Sequence, residues 1–98
     1  MKIQGFNKLL IRDIPLGIVF NKDNYEQFPL VECDTWISED KNWQLDINPI
    51  TNNYRITPLK IELLIPFYEF TDRIEGSINL CLHLLEQLKL RINETNNS

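Results

Sequence analysis

The sequence predicts an α+β fold: an antiparallel sheet of about four to six strands in a meander, with one long C-terminal helix packed across one face. Three observations carry this. Trp43, Gln44, Leu45, Asp46 and Ile47 alternate apolar and polar, as a half-buried strand requires. Residues 30–37 are rich in β-branched and aromatic side chains. Across residues 71–93, Ile74, Ile78, Cys81, Leu85, Leu88 and Ile92 recur at steps of four and three, drawing one apolar stripe on a helix. Leu82 and Leu84 broaden the stripe beyond a two-stranded coiled-coil seam, so it suits covering a sheet.

Taken in order, residues 5–14 fit either period, because Phe6, Leu10 and Ile14 are at helical spacing while Leu9, Leu10 and Ile11 form a strand-like run. Gly5 favours a strand start, and Pro15 with Gly17 marks a turn before a short strand at 18–20. Residues 25–28 fit one helical turn, stopped by Pro29. In the 30–37 strand, Val31, Cys33, Thr35 and Ile37 fall on one face, and Glu32, Asp34 and Trp36 on the other. A polar loop at 38–42 leads into the strand at 43–47, and Asn48, Pro49, Asn52 and Asn53 bracket a further turn.

Residues 54–57 and 59–65 read as strand material in two phases, with Pro58 as an irregularity between them. Residues 66–70 either extend that strand or open the helix early. Thr71 or Asp72 is the expected N-cap of the long helix, and Glu75 can complete a capping box with Asp72. Gly76 and Ser77 weaken that helix, leaving a kink or a second start at Ser77 open. The helix stripe is expected to meet Val31, Cys33, Trp43, Leu45, Ile47, Ile61 and Leu63. One domain is expected over residues 1–93, with an asparagine-rich tail at 94–98 that frays.

The 98 residues carry 43% apolar and 24% charged side chains, which places the chain among ordinary globular proteins rather than disordered ones. The two cysteines, Cys33 and Cys81, form no C-x-x-C pair, so a redox motif and a zinc knuckle are both unsupported. Each falls on the apolar phase of its element and is expected to be shielded. The first residues lack the apolar core of a signal peptide, and no run reaches the length of a membrane span. A cytoplasmic protein with reduced thiols is therefore expected. The two glycosylation patterns in the asparagine-rich tail are read as chance.

No catalytic or cofactor motif emerges. His83, the sole histidine, falls opposite the apolar stripe and reads as a solvated residue. Cys81 and His83 stand two apart on a helix and point in different directions, a poor nucleophile and base pair. The three glycines are too dispersed for a phosphate loop, and no basic stripe interleaved with aromatics suggests nucleic acid. Glu32, Asp34, Glu39 and Asp40 could in principle bind a cation, but the calcium-loop pattern is missing, so no metal and no cofactor is expected.

Charge is unevenly distributed. The net charge is −4, yet Asp23, Glu26, Glu32, Asp34, Glu39, Asp40 and Asp46 stand against Lys41 alone in one block, while Lys2, Lys8, Arg12 and Lys22 stand against Asp13 before it. Such a block disfavours a nucleic-acid backbone and favours a basic protein. The expected partner-binding residues are Glu32, Asp34, Trp36, Glu39, Asp40 and Asp46, with an exposed Trp36 as anchor and the acids steering encounter. Small size, acidity and the lack of a catalytic motif together fit a non-enzymatic inhibitor of a nuclease or nucleic-acid-binding effector, of the immunity-protein or anti-defence type. The alternative is a small-ligand-binding or accessory subunit with a pocket between helix and sheet, lined by Phe67, Tyr68, Phe70 and Leu84. An enzyme using Glu32 or Asp34 with His83 ranks last.

Overall fold

The computed structural model of the chain describes residues 2–9 and 34–96. These form a sheet of five antiparallel strands in the order of the chain: β1 (Phe6–Leu9), β2 (Asp34–Ser38), β3 (Trp43–Asn48), β4 (Asn53–Pro58) and β5 (Ile74–Gly76). Helix α1 (Ile61–Phe70) lies between β4 and β5, and the long helix α2 (Ile78–Asn96) closes the fold. The architecture is therefore the expected α+β meander with a C-terminal helix.

Register decides which side chains meet. Lys8, Trp36, Leu45, Ile56 and Ile74 stand opposite one another across the five strands, and Trp43, Ile47 and Tyr54 share their face by strand alternation. Against this face α2 presents Cys81, Leu85 and Leu88, all buried, at the spacing read from the sequence. The Cys81 thiol donates a 3.4 Å hydrogen bond to the Tyr54 carbonyl, and burial, with Glu75 nearby, raises its pKa to about 11. Phe67 of α1 completes the core, its ring centroid 6.4 Å from that of Trp43.

Two hairpin turns place single residues in the left-handed region, Lys41 and Asn52. Asparagine tolerates that conformation well. In the first hairpin Asp40 holds the turn closed: its Oδ1 accepts from the Ser38 hydroxyl at 2.6 Å and from the Asn42 N–H at 3.0 Å.

Three expectations are corrected. The segment at 59–65 is not a strand; from Ile61 it belongs to α1, which continues through Pro66 to Phe70. A continuous apolar run cannot distinguish a strand from a helix by period, and here α1 gains by inserting Phe67 into the core. The long helix does not start at 71. Thr71 is the C-cap of α1, its N–H donating to the Phe67 carbonyl, and residues around Ile74 form the edge strand β5. The helix begins after Ser77, the second start that the sequence left open; its Oγ accepts from the Leu80 N–H at 3.3 Å, so Ser77 is the working cap in place of Thr71 or Asp72. Gly76 makes the junction possible. Its φ is +142°, and a Cβ there would lie 3.0 Å from Leu80 Cδ2. Finally, Thr35 is on the face away from α2, and Trp36 is on the face toward it, the reverse of the expected phase. Val31, Cys33 and the expected elements at 18–20 and 25–28 lie outside the described residues.

Two leucines of α2 test this packing. Leu88→Ala should cost about 2–5 kcal/mol in urea unfolding, because Leu88 is fully buried, while Leu90→Ala should stay within about 0.5 kcal/mol. Equal effects at the two positions would mean that α2 is not seated as described.

Candidate functional site

The acidic residues expected to form one surface are dispersed by strand alternation. Asp34 is half-buried at the start of β2, with its carboxylate 3.7 Å from Lys8 Nζ. Trp36 is only 4% exposed, which overturns its expected role as an exposed anchor. Its ring is packed in the core, and Lys8 Nζ stands 5.6 Å from its centroid. Asp46 is 0% exposed and cannot steer a partner. Among the described acids, Glu39 and Asp40 are exposed together at the β2–β3 turn. Glu32 lies outside the described residues.

Asp40 is moreover occupied in its turn. Partial burial acts to raise its pKa, but the hydrogen bonds from Ser38 and Asn42, with Lys89 and Lys60 nearby, outweigh this and lower it. Those lysines also dilute the negative field at the turn.

On the sheet face away from α2 stands a row of polar groups, buried except for the partly exposed Glu75 at its β5 end. Thr35, Asp46, Arg55 and Glu75 are aligned across β2, β3, β4 and β5 by register, with Gln44 and Thr57 paired in the adjacent row. Thr35, Gln44, Asp46, Arg55 and Thr57 are all buried. Asp46 Oδ1 accepts from the Thr35 hydroxyl at 2.8 Å, and Gln44 Nε2 donates to both carboxylate oxygens at 3.1 and 3.2 Å. Desolvation raises the Asp46 pKa against the opposing pull of these bonds and of the Arg55 charge. The arrangement satisfies a buried carboxylate and supplies no nucleophile beside a base. It reads as a device of the interior that fixes register.

The feature that strand-based reading of 59–65 concealed is the outer face of α1. Ile61, Ile65 and Tyr68 recur at i, i+4 and i+7, and they are 69%, 69% and 58% exposed. At 100° per residue these three fall within an arc of about 60°, with Glu62 and Glu69 both about 80–100° round from Ile61 on one flank. Both acids are exposed, as is Asp72 just past the helix end. The signal was present as helical spacing in both the apolar and the acidic residues, once the run is read at the correct period. Pro66 within α1 removes the hydrogen bond to the Glu62 carbonyl, so helix propensity alone does not explain why the element forms here.

Of the residues expected to line a pocket between helix and sheet, Phe67 is buried in the core, Tyr68 is exposed with its ring edge-on to Phe67 at 5.5 Å, and Phe70 and Leu84 are partly buried against the core, Phe70 with the Arg91 guanidinium 5.8 Å from its ring centroid. A groove of about 560 Å³ runs between Gln4, Phe6 and the α2 residues Leu82, Leu85, Glu86, Lys89 and Leu90. His83 is exposed on α2. Among the described residues no three histidine, cysteine or acidic side chains converge as a metal site, and no helix is long and apolar enough to cross a membrane. Compared with protein-family models, curated protein sequences and solved structures, the chain matches none.

The raised pKa of Asp46 has a stability consequence of definite sign. The folded state holds the proton more tightly than the unfolded chain, so this contribution is complete below the ordinary value of 3.8 and is lost as pH rises through the raised value. Urea unfolding of the wild type and Asp46→Asn between pH 4 and 7 should show the stability difference moving in favour of Asn as pH rises. A difference independent of pH would remove the assigned burial effect.

Proposed function

We propose that the chain is a small non-enzymatic binding protein that engages a basic protein partner and blocks it, in the manner of an immunity-type or anti-defence inhibitor of a nuclease or nucleic-acid-binding effector. The observation that supports this reading best is the outer face of α1, where Ile61, Ile65 and Tyr68 stand exposed beside Glu62 and Glu69, with Asp72 exposed just past the helix end. Apolar anchors including an aromatic, with charges at the margin, are the composition of an interface centre and its rim. The docking surface thereby moves from β2 to α1, since Trp36 and Asp46 are buried. Glu39 and Asp40 remain available as outlying steering charges.

The charge at the end of α1 supports a basic partner in a second way. A helix C-terminus carries the negative end of the peptide dipole, where acids are unfavourable by roughly 0.3–1 kcal/mol each. Glu69 lies in that last turn and Asp72 follows it; the last turn of α1 holds no basic residue of its own, and a cation of α2, Arg91, stands near its end, 5.8 Å from the Phe70 ring centroid. Arg73, the next cation, is directed toward Glu75 at 3.7 Å. A docked lysine or arginine would turn a cost of the free chain into a contribution of the complex.

The test is affinity capture from a lysate of the source organism, with wild type and Ile65→Gln as baits. Glutamine suits a helix surface, so the variant should melt like the wild type. A basic protein retained in stoichiometric amount by the wild type and released about tenfold more readily by the variant is the expected outcome. Retention of only acidic proteins, or of none, by a folded wild-type bait would sink the proposal.

A further inference from the structure

We infer that the occupant of the α1 face is a single amphipathic helical segment of the partner, with lysine or arginine along one flank, and not a second copy of this chain. The inference rests on the binding reading above and specifies its partner. Its first support is shape. The three exposed side chains offer on the order of 400 Å² of surface, within the range of a functional patch. The patch is linear, spanning about 10 Å from Ile61 to Tyr68 at the rise of a helix. Two to three turns of a second helix would cover it.

The second support is charge. Glu62 and Glu69 lie on the same flank of α1, one near its N-terminus and the other near its C-terminus. A two-fold axis that pairs two copies antiparallel brings the N-terminal residue of a flank against the C-terminal residue of the same flank. Glu62 of one copy would therefore face Glu69 of the other, acid against acid, at both ends of the contact. A foreign helix with basic residues at matching spacing meets attraction at the same two places. Its apolar residues would repeat at i, i+4 and i+7, and its cations would fall one quarter-turn to the side.

The experiment uses the full chain and a synthetic peptide of about 16 residues, long enough for a marginal helix, with leucines at helical spacing and lysines on one flank. Two comparison peptides carry the same composition in scrambled order, or glutamate for each lysine. Amide chemical shifts of the chain should change saturably in α1 with the ordered basic peptide and not with the other two. Ile65→Gln should abolish the change, and Glu62→Gln with Glu69→Gln should weaken binding roughly fivefold at low salt and less at high salt. Equal binding of the scrambled peptide, or shifts centred on Glu39 and Asp40, would overturn the inference. Concentration-dependent self-association that Ile65→Gln removes would assign the face to a second copy instead. If capture yields a basic protein sensitive to Ile65→Gln while the ordered peptide leaves α1 unmoved, the binding reading stands and the helical segment fails. Failure of the capture alone leaves the peptide result as a property of α1 without that function.

Discussion

The structure depends on the register between β3 and β4. Leu45 opposite Ile56 and Asp46 opposite Arg55 are consecutive pairs, and they point to opposite faces of one sheet. The first pair continues into Trp36 and Ile74 beneath α2; the second continues into Thr35 and Glu75 on the far face. A slip of one residue in either strand would carry a buried carboxylate into the apolar core and an isoleucine into the polar row. Uncompensated burial of the charge would cost several kcal/mol, more than the hydrophobic loss at one position. The polar row therefore acts as a lock on the core even though it contributes little net binding energy of its own.

The same alternation explains what could be read in advance. The strand at 43–47 was legible because it belongs to a sheet with two unlike faces, so its apolar and polar residues alternate. The helix stripe at Cys81, Leu85 and Leu88 was legible because α2 is solvated on its other side, where His83, Glu86 and Lys89 are exposed. Trp36 was not legible. With both faces of β2 buried, Thr35 and Trp36 adjoin as two interior residues of different chemistry, and polarity ceases to report direction. The phase assigned from Thr35 and Ile37 followed the apolar convention for a one-sided sheet, whereas here threonine serves Asp46 and tryptophan serves the core.

The segment from 59 to 76 failed for a related reason. Its apolar residues are dense enough to satisfy both periods, and a proline sits within α1, where sequence rules place a break. Tertiary packing overrides propensity there: Phe67 enters the core beside Trp43, and the Thr71 N–H closes the helix on the Phe67 carbonyl. The short β5 then uses Ile74 as the fourth buried member of the row with Trp36, Leu45 and Ile56, so the stripe that looked continuous from Ile74 to Ile92 spans two elements. Gly76, in a backbone region closed to other residues, turns the chain between them.

Charge in the sequence and charge in space diverge for the same geometrical cause. Within the acidic block, Asp34 is matched by Lys8 across the strand pair, Asp46 is withdrawn into the polar row, and Asp40 is bound into its turn near Lys60 and Lys89. Of the described acids of that block, Glu39 alone is exposed without such a partner. On α1 the situation reverses, because Lys60 and Glu62 make the segment look balanced, yet helical geometry gathers Glu62 and Glu69 on one flank and leaves the apolar stripe beside them. An exposed stripe raises the risk of aggregation, and acids at a helix C-terminus weaken the helix. Neither feature improves the folded chain by itself, and each is relieved by the same event, the docking of an apolar and basic surface along α1.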